Sequence, residues 1–151
     1  MFCMWTQEHF KELPLACLDH IKSAMEFSYG ERELKHVAQE LAKGSKQIWL
    51  KTLDKKFIAT VITHVIDYPN KRTCEICYLG GESGEGVMDS LKDIQEIENW
   101  ATLNNCDDIQ VFGRRGWLRP LKEHGFSERY TILGKSLKNP SDNKGLLNDK
   151  T

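Results

Sequence analysis

The sequence predicts an α/β fold, a mixed and mostly antiparallel sheet with helices on both faces. Three observations carry this expectation. Two segments of helical period come first, three β-branched segments separated by polar turns follow as a meander, and a glycine-rich loop, a helix and one more strand come after them. Strand, loop, helix and strand in that order make a right-handed crossover. The strand after the helix is therefore expected to lie parallel to the third strand of the meander.

Each element has a local reason. Pro14 suits the first turn of a helix, and Leu15, Leu18, Ile21 and Met25 follow at helical spacing until Tyr29-Gly30 stops the pattern. Glu31-Arg32-Glu33 opens a second helix with Leu34, Val37, Ala38 and Leu41 on one face, and Lys43-Gly44 closes it. Both helices precede the first expected strand. KQIWLKTLD and KKFIATVITHVIDYP, joined at Asp54-Lys55-Lys56, read as an antiparallel hairpin, and RTCEICYLGG continues the meander after Tyr68-Pro69-Asn70-Lys71. The loop GGESGEG (80–86) leads into a long helix with the apolar stripe Val87, Leu91, Ile94, Ile97 and Ala101, ending at Asn104-Asn105. DDIQVFG is the parallel strand, GRRGWLRPLKEHGF holds a short helix, and SERYTILGKSL (127–137) is expected to be a final strand. Residues 1–137 form one domain on this reading, and the polar residues 138–151 a flexible tail.

Composition narrows the function classes. The longest apolar-rich run, IATVITHVI, is too short and too threonine-rich to cross a bilayer, so no membrane partner is expected. The N-terminus carries neither a basic leader nor a small-residue cleavage site, which places the protein in the cytoplasm. Five irregularly spaced cysteines argue for reduced thiols. Cys74 and Cys77 spell C-x-x-C, but residues three apart on a strand point to opposite faces, so no metal is expected there. The net charge of −1 hides a polarity: eight acids face one lysine between Glu82 and Asp108, and seven bases face two acids between Arg114 and Lys138. Nucleic-acid binding is not favoured, since the basic stretch is short and its acidic neighbours repel phosphate.

VFGRRGWLRPLKEHGF (111–126) concentrates charge and aromatic surface on one strand-to-helix turn. Arg114 and Arg115 either pair with the acids of the preceding helix, hold an anion at the helix start, or contact a partner. Trp117 is either a core residue or part of the same contact, with Arg119 beside it.

The order of elements over residues 10–137, with motif letters between 72 and 126, resembles the GNAT superfamily of acetyl-CoA-dependent N-acetyltransferases. More narrowly, three motifs are similar to those of small GNAT-like proteins encoded by tailed bacteriophages. They are the Y-P-x-K-R-x-C turn from Tyr68 to Cys74, the acid-x-W-A helix end at Glu98 to Ala101, and G-R-x-G-W-x-R-x-L from Gly113 to Leu121 before Gly125-Phe126. The resemblance implies a pyrophosphate loop whose backbone would come from Gly81, Gly84, Gly86 and Val87. Glu82 and Glu85 stand where that loop wants no anion. It also implies a tyrosine acid at the position held by Leu121, which has no proton to give. Glu75 and His64 are the candidate bases and Tyr130 a further candidate proton donor.

These departures lead to a non-catalytic phage protein that acts through contacts with other phage or host proteins, in virion assembly or as a virion or internal component. On that reading Arg114, Arg115, Trp117 and Arg119 bind the partner, no cofactor is expected, and the protein resides in the host cytoplasm or the virion. The alternatives are an acetyl-CoA-dependent N-acetyltransferase modifying a host amine or protein lysine, and an inhibitor that binds a host protein. The oligomeric state is not set by the sequence.

Overall fold

The computed structural model describes residues 1–5, 13–82, 91–113 and 115–138. The chain divides into two compact units, Met1–Phe112 and Gly113–Thr151. The first holds a five-stranded sheet in the order β1-β2-β3-β4-β5. Its strands are β1 (Phe2–Trp5), β2 (Lys46–Leu53), β3 (Lys56–Asp67), β4 (Arg72–Gly81) and β5 (Asp108–Val111). Neighbours pair antiparallel except β4 and β5, which are parallel, as the crossover requires.

Helices α1 (Leu15–Met25) and α2 (Leu34–Ala42) cover one face. Their Cys17, Ile21, Val37 and Leu41 pack with Ile48 and Leu50 of β2 and Ile62 of β3 in one buried cluster. The opposite face takes a 3-10 turn (Leu91–Ile94) and helix α3 (Gln95–Leu103). Trp49, which alternates with Ile48 and Leu50 along β2, meets Trp100 of α3 edge to face at a centroid distance of 5.5 Å. Ile94, Ile97 and Ala101 of the expected stripe are buried, whereas Val87 lies outside the described residues. A charged or branched strand residue thus finds its layer by parity alone.

Turn chemistry follows the sequence closely. Asp54 and Lys55 both adopt positive φ (50° and 64°), the left-handed pair that a two-residue hairpin needs to match strand twist. α2 and α3 end alike: Gly44 and Asn105 take positive φ, and the next amide reaches back five residues, Ser45 to Glu40 and Cys106 to Ala101. Gly80 has a different duty. A Cβ there would stand 1.9 Å from the His20 carbonyl oxygen, so only glycine lets the α1 backbone rest on β4.

Two expectations change. Phe2–Trp5 forms an edge strand against β2, so a strand precedes the two helices. Four residues were too short a run to show a period. In the second unit, residues 127–136 carry no strand. Among its described residues that unit holds a 3-10 turn (Arg115–Trp117) and the short helix α4 (Leu118–Lys122), which closes at Gly125 with Phe126 N–H donating to the Leu121 carbonyl. A strand exists only where another strand satisfies its backbone, and residues 127–136 have the composition but join no strand ladder among the described residues.

Candidate active site

Four polar residues cross the sheet in a single row. Lys46 of β2 is the register partner of His64, His64 of Glu75, and Glu75 of Gln110. Lys46 shares the parity of Ile48 and Leu50, so the row lies on the α1/α2 face, beyond the end of the apolar cluster. The two candidate bases, Glu75 and His64, are therefore direct cross-strand neighbours.

The hydrogen bonds converge on Glu75 from both sides. Lys46 Nζ donates to Cys77 Sγ at 3.5 Å, and the Cys77 thiol donates to Glu75 Oε1 at 3.5 Å. Gln110 Nε2 donates to Glu75 Oε2 at 3.0 Å. Both carboxylate oxygens of Glu75 are thus held, and its orientation is fixed from two strands. From α2, Glu40 Oε2 lies 3.3 Å from Lys46 Nζ, and Arg32 Nε donates to Glu40 Oε1 at 2.7 Å. This carboxylate balances a lysine whose side chain is only 3% exposed.

The charges set the local protonation. Burial holds the His64 imidazole below its ordinary value, and the nearby Lys46 ammonium adds to this, so His64 is neutral at neutral pH. Burial pushes the Cys77 thiol up to about 12, which keeps it a proton-bearing donor to Glu75. Burial alone would raise Glu40, but the Arg32 hydrogen bond and Lys46 prevail and hold it below the usual carboxylate range.

Cys77 owes its place to an irregularity. Ile62 pairs with Tyr78 and Thr63 with Ile76, which leaves Cys77 as the extra residue of a β-bulge. Cys74 is buried on the α3 side and Cys77 packs toward α1 and α2, so the two thiols of C-x-x-C do fall on opposite faces. Immediately beyond, β4 loses its parallel neighbour: the last contact is Phe112 N–H to the Ile76 carbonyl at 3.4 Å. Among the described residues, no strand pairs with the β5 side of β4 from Cys77 to Gly81. Such an edge can take an extended chain that carries its own amides.

The remaining sequence candidates fall as follows. Gly81 ends β4 opposite Ala59, and the following Glu82 N–H donates to the Ile58 carbonyl, so that donor is already used. The Glu82 carboxylate sits 3.4 Å from His20 Nε2, whose other ring nitrogen contacts Thr60 Oγ1 at 3.0 Å. Gly84, Glu85, Gly86, Val87 and Arg114 lie outside the described residues. Tyr130 belongs to the second unit and is 76% exposed in a stretch without regular structure. Arg115 and Arg119 are exposed, whereas Trp117 is buried, with Gly113 leaving room for its ring at 2.6 Å from where a Cβ would be. That burial removes Trp117 from an exposed patch. Leu121 is buried.

Sequence reasoning missed Lys46, Cys77, Gln110, Glu40 and Arg32. A legible signal existed only for Lys46, a lysine at the inward parity of an apolar strand.

Two helices before an antiparallel meander, then a parallel strand regained through a helix, make a mixed α/β fold that solved acetyltransferase structures share. The chain is similar to an aminoglycoside acetyltransferase from an uncultured soil metagenomic sample in complex with sisomicin, at TM-score 0.66 and 12% identity over 91% of this chain and 96% of that one. It is similar to a "predicted acetyltransferase with acetyl-CoA" from Clostridium acetobutylicum, at TM-score 0.62 and 18% identity over 91% and 96%. A ribosomal-protein-alanine N-acetyltransferase from Brucella melitensis biovar Abortus 2308 matches at TM-score 0.59 and 11% identity over 90% and 99%. At these identities the likeness is one of fold. No family model matches the chain, and no curated protein matches it in sequence.

Proposed function

We propose that the protein is an acetyl-CoA-dependent N-acetyltransferase whose proton acceptor is Glu75. The observation that carries this reading is the position of Glu75, one residue before β4 loses its β5 neighbour and held on both oxygens by Cys77 and Gln110. The open edge from Cys77 to Gly81 fits the amide-bearing arm of the cofactor, which would pair with β4 as an added strand. Bound there, acetyl-CoA supplies an acyl thioester. The chain's own part would be to hold an amine beside Glu75 and take one of its protons as the nitrogen bonds to the acyl carbon, while the carbon–sulfur bond breaks and the coenzyme departs as a thiolate that takes a proton from solvent. Neutral His64 on the adjacent strand leaves the carboxylate without a competing cation, and Lys46 is kept from it by its pairing with Glu40. Acetyl-CoA binding by the C. acetobutylicum neighbour supports the choice of cofactor.

A second reading, the non-catalytic phage protein working through protein contacts in virion assembly, is favoured by one feature. Leu121 is buried where the family places a proton-donating tyrosine. Calorimetry with acetyl-CoA, followed by thiol release with a panel of primary amines, separates the two. The enzyme reading expects cofactor binding, turnover, and a 10²- to 10⁴-fold loss of rate in Glu75→Gln with binding retained, a general-base effect of ordinary size. Absence of binding at submillimolar acetyl-CoA overturns it and leaves the protein-contact reading.

A further inference from the structure

We propose that the acceptor is an amino carboxylate, a small molecule whose amine meets Glu75 while its carboxylate is held by the Arg32 guanidinium and the Tyr78 hydroxyl. This substrate class rests on the acetyltransferase reading and narrows it. Two polar groups are left over from the network around Glu75. Arg32 uses Nε on Glu40, at 2.7 Å, and among the described residues its Nη nitrogens have no hydrogen-bond partner. A guanidinium fixed along one edge and exposed at the other is a preformed fork for a carboxylate. Tyr78 is the second group. Its ring packs against the apolar cluster, and its hydroxyl has no hydrogen-bond partner among the described residues. The bulge brings it to the face of Glu75. Residues three apart on a regular strand point to opposite faces, but with Cys77 as the extra residue Glu75 stands opposite His64 and Tyr78 opposite Ile62, two positions along β3. That spacing is about 7 Å along a strand. Burial raises the Tyr78 phenol and the Arg32 charge opposes the rise, so the hydroxyl keeps its proton within electrostatic reach of the guanidinium.

Charge makes the match two-ended. Glu40 stands between two cations, 2.7 Å from Arg32 and 3.3 Å from Lys46, which leaves one positive charge over at this end. The neighbouring acids are held to their own turn, Glu31 accepting from the Tyr29 amide at 2.9 Å and Glu33 pairing with Lys35 at 3.0 Å. At the other end Glu75 carries a negative charge between the neutral donors Cys77 and Gln110, with neutral His64 beside it. A molecule with an ammonium group at one end and a carboxylate at the other answers both charges. An alkyl amine leaves the Arg32 charge unanswered, and a diamine sets a second cation against it.

Matched acceptors test it on the unmodified protein. Thiol release from acetyl-CoA is followed with alanine and β-alanine, each against ethylamine, and with 4-aminobutyrate against propylamine. At least one amino carboxylate should exceed its partner by about 100-fold in kcat/KM, mostly through KM, the size expected of a charge-assisted carboxylate contact. Arg32→Gln should bring that ratio to within about threefold of unity, Arg32→Lys should keep part of it, and Tyr78→Phe should lower it by about 3- to 10-fold. Calorimetry of the three amino carboxylates into the protein with coenzyme A bound needs no turnover, and binding that Arg32→Gln abolishes is the expected result. If amines are acetylated but no amino carboxylate outpaces its partner, or if Arg32→Gln leaves the ratio unchanged, the proposal is overturned and the acetyltransferase reading stands. Failure of all three to bind beside coenzyme A overturns it as well. Absence of acetyl-CoA binding removes the acetyltransferase reading itself, and this substrate class falls with it.

Discussion

The α1/α2 face of the sheet has two halves built to different rules. In one, Cys17, Ile21, Val37, Leu41, Ile48, Leu50 and Ile62 form a dry cluster in which shape alone decides the energy. In the other, Lys46, His64, Glu75 and Gln110 run in register across four strands, with Glu40, Arg32 and Cys77 completing their hydrogen bonds. The same strands supply both halves, β2 contributing Lys46 and Ile48 two residues apart. The difference teaches that strand parity chooses a face and nothing more. What that face becomes depends on which residues the register sets side by side.

The comparison makes unequal predictions for stability. Ile62→Ala should cost about 3–5 kcal/mol in urea unfolding, since Ile62 is fully buried among seven cluster members with no solvent to refill the space. A cost under about 1 kcal/mol would mean that the cluster is loosely packed and that the contrast between halves is false. Gly80→Ala, which drives a methyl into the His20 carbonyl, should cost about 3 kcal/mol and displace α1, visible as exposure of the Cys17 thiol to a labelling reagent. In the polar half, Lys46→Met should cost less, about 1–3 kcal/mol, because Glu40 keeps its Arg32 partner. A loss as large as that of Ile62→Ala would make the row a second core instead of a site.

Acid titration sharpens the contrast further. His64 has a folded value below its ordinary 6.5, so the unfolded chain takes the proton more readily, and stability is lost as pH falls below 6.5 through the native value. Glu40, lowered from 4.5, likewise contributes stability above 4.5 that is lost as pH falls through its native value. The melting temperature should therefore decline in two stages. His64→Asn should flatten the upper stage and Glu40→Gln the lower. The smallest effect belongs to the exposed arginines: Arg115→Ala/Arg119→Ala should change stability by less than about 0.5 kcal/mol, and a larger loss would show that these side chains help hold their own unit together.

The sequence by itself determined the layer order, the parallel return of β5, the helix ends at Gly44 and Asn105, and the hairpin turn at Asp54-Lys55, because each is written in local period and turn chemistry. It also supplied Glu75 and His64 as chemistry-bearing residues on neighbouring strands. Only the tertiary structure decided that they face one another, that a bulge turns Cys77 toward Lys46 and Glu75, and that Gln110, far away in the chain, fixes the second oxygen of Glu75. Register and bulge are set by the sum of many cross-strand contacts, and no single residue announces them. The same reason explains the error at 127–136 and the omission of Phe2–Trp5. Composition states what a segment is able to pair with, and a strand comes into being only when the partner is present.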